Sequence, residues 1–365
     1  MGQSPCFGGV RATRQSNAAG NQAVAPSIPA GNQAAGPSNP AGSQAAGTSN
    51  PAGAVGNIPT AISLSTLKKA TNDFTEQIGE GMSALVFKGK LDDGQLVAVK
   101  RMNPDCGREK SYSNEVGVLS RSDHPNIIKM IGCCAHNNTE RIIVYEYMPN
   151  RTLHDLLHAR GAPVLTWEKR MTIMAGIAEG LRYLHNNVRV LYGDLHPENV
   201  LLDAGYNPKL SDFGISVLLP ADSQTTNDAL CGAATLPYWP PEDVCPFSLK
   251  FDIYSFGVLL LKIITGTIKT KEGQLSYIDD SVMLPETFVQ QADPKMKGDF
   301  PRGELVKAMT VATKCMNLCR DSRPDIGVVA NAMKNLAGDQ DAHWPKIFNT
   351  KGITRAHCWP ELFNT

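Results

Sequence analysis

Hydrophobic and polar positions divide the chain into distinct regimes. Residues 75–148 alternate apolar and polar side chains in strand-length runs: Leu85-Val86-Phe87, Leu96–Val99, Ile127–Ile131 and Ile142–Tyr145. Alternation at period two marks strands with one buried face. One stretch among them, Tyr112–Ser120, reads as a helix. From Leu153 onward apolar residues recur at helical spacing, notably in Trp167–His185, Asp252–Thr265 and Gly303–Cys319. Ahead of the strands, Leu64, Leu67 and Ala70 share one helical face, which Thr71-Asn72-Asp73-Phe74 ends. Order is expected to begin near Ser63, in an α+β chain whose strand-rich N-terminal part precedes a helical C-terminal part.

The N-terminal region has another character. Residues 15–67 contain no Asp, Glu, Lys or Arg. Three 11-residue units stand there in tandem: NQAVAPSIPAG (Asn21–Gly31), NQAAGPSNPAG (Asn32–Gly42) and SQAAGTSNPAG (Ser43–Gly53). The first holds only Val24 and Ile28 as larger apolar residues and the other two none, so burial does not offset the entropy of ordering. Recurrent prolines exclude a helical reading of the period. Residues 15–60 are expected to be a disordered linker, reaching roughly 40 Å root-mean-square over about 53 uncharged residues.

Composition narrows the class. The 35 Lys and Arg balance 35 Asp and Glu, which offers nothing to nucleic acid or to an anionic membrane. No stretch reaches about 18 consecutive apolar residues; Ile253–Ile264 is shorter and contains Lys262. The N-terminus lacks the apolar stretch of a secretory signal. Nine cysteines are scattered without metal-type spacing, as expected of a reducing cytosol. The expected location is cytoplasmic, with one route to the inner face of the plasma membrane. In Met1-Gly2-Gln3-Ser4-Pro5-Cys6, Gly2 is a candidate for myristoylation, although Cys6 stands at the usual Ser/Thr position. Cys6 itself is a candidate for palmitoylation, and stable anchoring needs both chains.

Six short stretches carry candidate chemistry in a fixed order: Ile-Gly-Glu-Gly at 78–81, Val-Ala-Val-Lys at 97–100, Asn-Glu at 114–115, Tyr-Gly-Asp-Leu-His-Pro-Glu-Asn at 192–199, Asp-Phe-Gly at 212–214 and Pro-Pro-Glu at 240–242. Gly79 and Gly81 suit a hairpin whose backbone N–H groups must approach phosphates. Lys100 ends a strand of apolar neighbours, where a cation is costly unless paired. Asp194 and Asn199 lie five apart in a loop, and Asp212 follows thirteen residues after Asn199. Together the six resemble the signature set of a protein kinase.

That resemblance implies a bilobal fold with an N-lobe of about 72–146 and a C-lobe of about 149–337 inside a domain of 61–337, flanked by residues 1–14, the linker and a tail of 338–365. It implies ATP and Mg²⁺ as cofactors and a protein as substrate. Ile78, Gly79 and Gly81 would cover the phosphates, and Val86, Ala98 and Leu201 would enclose the adenine. Backbone groups of Glu146 and Met148 would bind its edge, with Tyr145 as gatekeeper. Lys100 would hold the phosphates and pair with Glu115; Asp194 would accept the substrate proton; Asn199 and Asp212 would ligate the metal.

Longer phrases narrow the likeness: "ATNDF" (70–74), "SRSDHPNIIKMIGCC" (120–134), "IIVYEYMPN" (142–150), "GIAEGLRYLH" (176–185), "FDIYSFGVLLLKIITG" (251–266) and "RDSRPDIGVV" (320–329). Over roughly residues 60–337 the chain resembles plant receptor-like kinases, nearest to wall-associated-kinase-like proteins and their cytoplasmic relatives, some of which are pseudokinase adaptors of immune receptors. The likeness adds Thr235 in the substrate loop, Asp252 as an anchor of the catalytic loop and Glu242 with Arg323 as a buried ion pair.

Three departures touch phosphate handling. Ala84 replaces the third loop glycine. Gly193 replaces the arginine that clamps a phosphorylated activation loop, making the loop of the non-RD kind. His196 replaces a lysine and, at its reference pKa of about 6.5, is expected to be mostly neutral. Pro237 also stands where glycine is usual. Two readings follow. One is a slow ATP–Mg²⁺-dependent Ser/Thr kinase in cell-surface or immune signalling. The alternative is a pseudokinase scaffold that binds a partner kinase or receptor. In the tail, His343–Thr350 nearly repeats as Cys358–Thr365; local duplication and paired docking peptides both fit.

Overall fold

The computed structural model describes residues 59–81, 83–103, 108–137, 139–159, 161–220, 222–227, 238–241, 246–266 and 289–349. Gly2, Cys6, the three repeats, Thr235, Pro237, Glu242 and the second tail copy lie outside them. The strand-rich part is one six-stranded sheet in the order β1-β5-β6-β4-β3-β2. Its strands are β1 (Thr60–Ala61), β2 (Gln77–Glu80), β3 (Ala84–Lys90), β4 (Leu96–Met102), β5 (Met130–His136) and β6 (Glu140–Glu146); the helices are α1 (Leu64–Ala70) and α2 (Arg108–Leu119).

The Ser63 hydroxyl caps α1 by accepting the Thr66 N–H at 3.1 Å. The expected stop is a run of left-handed residues, Asn72, Asp73 and Phe74, at φ of 49, 55 and 60°. Phe74 is the uncommon one there. It is held by an edge-on contact with Phe87 at 5.3 Å and by the Arg101 guanidinium 4.9 Å above its ring.

Strand parity sorts the sheet into two faces. Phe87, Val97, Val99, Cys134, Ile142 and Val144 form a small core with Leu67 of α1. Ala84, Met102, Ile143 and Tyr145 belong instead to the large core shared with the helical lobe.

Three boundaries differ from the pattern. The sheet begins before Ser63, because Thr60 and Ala61 pair in parallel with Gly132 and Cys133. Gly132 permits this: a Cβ there would lie 2.5 Å from the Thr60 carbonyl. The run Ile127–Ile131 is not one strand. Ile127 and Ile128 are buried ahead of β5, and Ile128 N–H donates to Leu210 O of the other lobe at 2.9 Å. A short apolar run reports burial without specifying a conformation. Third, α2 starts at Arg108 rather than Tyr112.

The helical part contains α3 (Leu153–His158), α4 (Trp167–Tyr183), α5 (Lys250–Thr265), α6 (Arg302–Cys315) and α7 (Ile326–Leu336). The pattern had carried α6 to Cys319 and had not singled out α7. Thr152 opens α3 with a capping box to Asp155, Thr166 caps α4, and Gly266 at φ 73° ends α5. Short antiparallel ribbons bridge α4 and α5: β7 (Val190–Leu191) pairs with β10 (Val217–Leu218), β8 (Val200–Leu202) with β9 (Pro208–Leu210), and β11 (Thr225–Thr226) with β12 (Phe247–Ser248). A buried ion pair, Arg170 Nη2 to Asp293 Oδ2 at 2.6 Å, ties α4 to the approach to α6. Arg323 is buried and donates to the carbonyls of Asn317 and Lys250 at 2.8 and 3.1 Å.

The first tail copy packs on this lobe. Phe348 is 1% exposed within the large core, and Lys307 of α6 lies 5.0 Å over the Trp344 ring. Helical packing therefore continues past residue 337. Among the described residues no helix is long and apolar enough to cross a membrane.

α5 and α6 meet at Gly257, where a Cβ would come within 2.8 Å of Ala312 O, Cys315 Cβ and Met316 Cγ. Two of these are backbone or Cβ atoms that cannot rotate away. Gly257→Ala should therefore lower stability by about 1–3 kcal/mol. A lowered urea midpoint at unchanged slope checks this; an unchanged midpoint would refute the close packing.

Candidate active site

The parity that builds the sheet also builds the site. Val97 and Val99 face α1, so Ala98 and Lys100 face the helical lobe. The register pairs Val86 with Lys100 and Ala98 with Tyr145, placing all four on that face. Val86 and Ala98, with Leu201 of β8, are half-buried apolar side chains. Glu146 ends β6 and Met148 is buried two residues on. The Glu146 carboxylate accepts the Lys129 N–H at 2.8 Å and pairs with Lys209 at 3.0 Å, and its own N–H donates to the Lys129 carbonyl at 3.1 Å, so side chain and amide are both engaged. Ile78 and Gly79 stand on β2, antiparallel to Leu85–Phe87, and Gly81 N–H closes the hairpin onto Ala84 O at 2.9 Å.

Lys100 is 6% exposed, and two carboxylates compensate it. Its Nζ lies 2.8 Å from Glu115 Oε2 and 3.0 Å from Asp212 Oδ1. Desolvation works against its charge, but Asp212 and Glu115 outweigh it and raise its pKa above the usual lysine range. Burial raises the fully buried Glu115 carboxyl, with Lys100 opposing. Burial also opposes charge on Asp212, yet Lys100 and then the Gly214 N–H hold its carboxyl below the usual range. Tyr145 OH donates to Glu115 Oε1 at 2.7 Å, using the second carboxylate oxygen. Expectation had paired Lys100 with Glu115; the Asp212 and Tyr145 contacts were not foreseen, although parity alone places Tyr145 beside Lys100.

Asp212 takes a left-handed φ of 55°. α2 meets the following glycine closely: Asn114 Nδ2 donates to Gly214 O at 3.1 Å, and a Cβ on Gly214 would reach Ser111 Oγ at 2.2 Å. Phe213, fully buried, packs on Tyr192 with ring centroids 5.2 Å apart.

The loop between β7 and β8 hangs on one buried carboxylate. Asp252 of α5 accepts the N–H groups of Tyr192 and Gly193 at 2.9 and 2.8 Å and meets His185 Nε2 at 2.8 Å. Drawing both amides inward leaves Gly193 at φ 81°, a left-handed value that favours glycine. Asn199 Nδ2 donates to both Asp194 O and Asp194 Oδ2 at 3.0 Å. With the amide nitrogen spent, its oxygen is the atom available to a ligand. Ser211 N–H donates to Asn199 O at 3.0 Å, joining this pair to the segment that bears Asp212. Lys100, Glu115 and Asp212 thus form one contacting group, and Asp194 and Asn199 a second beside it.

His196 corrects an expectation. Burial disfavours its cation, but Asp194 and Glu198 flank it, with Nε2 3.5 Å from Asp194 Oδ1 and Nδ1 2.8 Å from Glu198 Oε2. These carboxylates lift its pKa to about 9, so it is charged at neutral pH rather than mostly neutral. Glu198 is correspondingly lowered to about 2, against burial, by its bond to His196.

Among the described residues no cluster of three or more His, Cys, Asp or Glu side chains could hold a metal. One carboxylate and one amide oxygen nevertheless suit Mg²⁺, which binds through one or two protein oxygens plus phosphate and water. The donor set at Asp212 and Asn199 fits that ion.

Residues 73–334 match the protein kinase domain family. Over 300 residues the chain is 36% identical to the probable serine/threonine-protein kinase PBL21 of Arabidopsis thaliana, covering 78% of each chain. It is 37% identical over 277 residues to the serine/threonine-protein kinase PBS1 of the same plant, covering 71% of this chain and 60% of that one. To a probable LRR receptor-like serine/threonine-protein kinase of Arabidopsis it is 34% identical over 84% of its own length, but it spans only 30% of that relative. With the kinase match running through both lobes, the chain belongs to the protein kinase family, among plant serine/threonine kinases of the receptor-like and receptor-like cytoplasmic type.

Proposed function

We propose that the chain transfers the γ-phosphoryl group of ATP to serine or threonine hydroxyls of protein substrates, at a low rate and in cell-surface or immune signalling. The observation that carries this is the buried Lys100 ammonium held between Glu115 and Asp212. As structural filler such a set is a poor investment, since a buried ion pair is often no better than apolar packing. As a site that aims a cation at phosphate oxygens it is what the chemistry requires.

The geometry supports the following roles. Lys100 orients the phosphates, and Glu115, steadied by Tyr145, holds Lys100. Asp194 accepts the proton of the attacking hydroxyl, its carboxylate fixed by Asn199. Asn199 Oδ1 and the Asp212 carboxylate would hold Mg²⁺, which neutralises charge on the phosphate oxygens. His196, beside Asp194, presents the cation that a lysine would otherwise bring. Val86, Ala98 and Leu201 would sandwich the adenine, and Ile78, Gly79 and Gly81 would cover the phosphates. Ala84 in the glycine loop and Pro237 in the substrate loop argue for the low rate.

Incorporation of radiolabel from ATP into a generic protein substrate tests the proposal. Parent protein should label it, and Asp212→Asn should abolish labelling while keeping the fold. A scaffold would gain thermal stability from Mg²⁺-ATP yet show no turnover in either form. Failure to bind nucleotide at all would overturn the enzyme reading.

His196 makes a sharper test. A pKa raised to about 9 means that its charge is present at neutral pH and is lost as pH rises through 9. Parent kcat should fall above that pH, whereas His196→Lys, with a reference pKa of about 10.4, should move the fall to higher pH. At pH 7 the lysine variant should change kcat by less than about tenfold, under about 1.4 kcal/mol of barrier. His196→Gln should lower kcat about 10²-fold with little change in nucleotide affinity. Superimposable pH profiles for parent and lysine variant would remove His196 from the chemistry.

Gly193→Arg supplies a donor fork but forces a side chain onto φ 81°. The expected result is a loss of about 1–2 kcal/mol in stability. Calorimetry showing no loss would mean that Asp252 does not dictate this backbone.

A further inference from the structure

The first tail copy shows how its sequence docks. From α7, Asn335 Nδ2 donates to Ala342 O at 2.8 Å. Trp344 then packs against the large core and Phe348 enters it, 1% exposed. The two rings lie 5.8 Å apart, and Lys307 of α6 stands 5.0 Å over the indole in a cation–π arrangement. Pro345 opens a single turn over Lys346–Phe348, which rests on α6. Phe348 N–H donates to Pro345 O and Asn349 N–H to Lys346 O, both at 3.0 Å. Trp344, Pro345 and Phe348 are thus the buried or half-buried members of the motif, whereas His343, Lys346, Ile347 and Asn349 are exposed.

Position by position, the second copy, Cys358–Thr365, differs from the first at three places: Cys358 for His343, Glu361 for Lys346 and Leu362 for Ile347. All three are exposed in the first copy. Trp359, Pro360 and Phe363 repeat the three residues that make the contacts, at the same spacing. The hydrogen bonds of the turn run between main-chain atoms, which the exposed differences do not alter. The contact with Lys307 asks only for an indole. The side chains that seat the first copy therefore all recur in the second, and the chain carries two ligands for one surface.

We propose that the face of α6 beneath Lys307 is a peptide-docking surface for the pattern Trp-Pro-x-aliphatic-Phe, and that Cys358–Thr365 of the same chain exchanges on it with His343–Thr350. The two tryptophans stand eight and 23 residues after Leu336, the last residue of α7. Closing the longer loop costs about fivefold in population, so the first copy holds the surface about five-sixths of the time. A segment on the same chain competes at an effective concentration of about millimolar, which a neighbouring molecule at micromolar concentration does not match. The second occupant is consequently the chain's own copy rather than another molecule's. None of the residues assigned to phosphoryl transfer takes part.

Urea unfolding of the full chain as Phe348→Ala, as Phe363→Ala and as the double variant tests the exchange. Removing a core phenylalanine with nothing to replace it raises the unfolding equilibrium constant about 10²-fold or more. With the second copy taking its place, Phe348→Ala should raise it only about sixfold and Phe363→Ala less than twofold. The double variant should show the full effect of about 10²-fold or more, the non-additivity of two groups that share one site. A photoreactive Lys307→benzoylphenylalanine substitution then identifies the occupant. Its crosslinks should fall mainly on the peptide around Trp344, and in Phe348→Ala on that around Trp359, within a single chain. Additive costs, with Phe348→Ala alone already at about 10²-fold, would overturn the proposal. So would crosslinks confined to the Trp344 peptide in both proteins, or crosslinks to Trp359 that join two chains and make a second molecule the occupant. The stability cycle decides alone where the Lys307 variant does not fold.

Discussion

A lysine ammonium that is 6% exposed cannot be buried alone, and the rest of the molecule is arranged around that fact. The two carboxylates that compensate Lys100 come from α2 and from the segment beyond β9. Lys100 and Glu115, both buried, are not tolerable in place without a partner, whereas Asp212 keeps part of its side chain exposed. Sheet, helix and helical lobe are consequently tied at a point that none of them could form separately. α2 is held there twice more, by the Tyr145 hydroxyl on Glu115 and by Asn114 on Gly214 O. The small contact surface of Gly214 sets how near α2 can come. A shift of α2 would leave two buried charges short of partners, so its position and the readiness of Lys100 are one property.

Asp252 does for the loop what Lys100 does for the lobes, with the sign reversed. Fully buried, it is satisfied by two backbone amides and one imidazole nitrogen. Those bonds fix the backbone just before Asp194, and Asn199 fixes the carboxylate just after it. The geometry of the loop is thereby set by α5, a helix buried along nearly its whole length. The same bonds bear on Gly193, which carries the second of the two amides and occupies the left-handed region that glycine enters freely. What reads in the sequence as the loss of an arginine is, in the fold, also the relief of a strained position.

Much of this was legible beforehand, for physical reasons that can be named. Period-two alternation gave β3, β4 and β6 and put Lys100 on the face opposite Val97 and Val99. Helical spacing gave α4 and α5 because both bury long apolar faces. Other features stayed hidden because they depend on partners distant in sequence. β1 is two residues of Thr and Ala, recognisable only by the glycine opposite. Ile127 and Ile128 are apolar because they touch Leu210 rather than because they extend a strand. His196 was misread because a reference pKa ignores neighbours, and its neighbours are two carboxylates. Phe348 lay in a tail whose repeat drew notice, while its burial against the helical lobe left no local sign.

Lys100, Glu115, Asp194, Asn199 and Asp212 keep the residue types that phosphoryl transfer requires, and the structure brings them into two adjoining groups. Two of the departures from the family pattern, Gly193 and His196, lie in the same loop as Asp194 and Asn199. At His196 the positive charge is conserved by other means, since flanking carboxylates keep the imidazole protonated. At Gly193 the side-chain charge is gone, while Arg189, four residues earlier, donates to the carbonyls of Pro220 and Ser223.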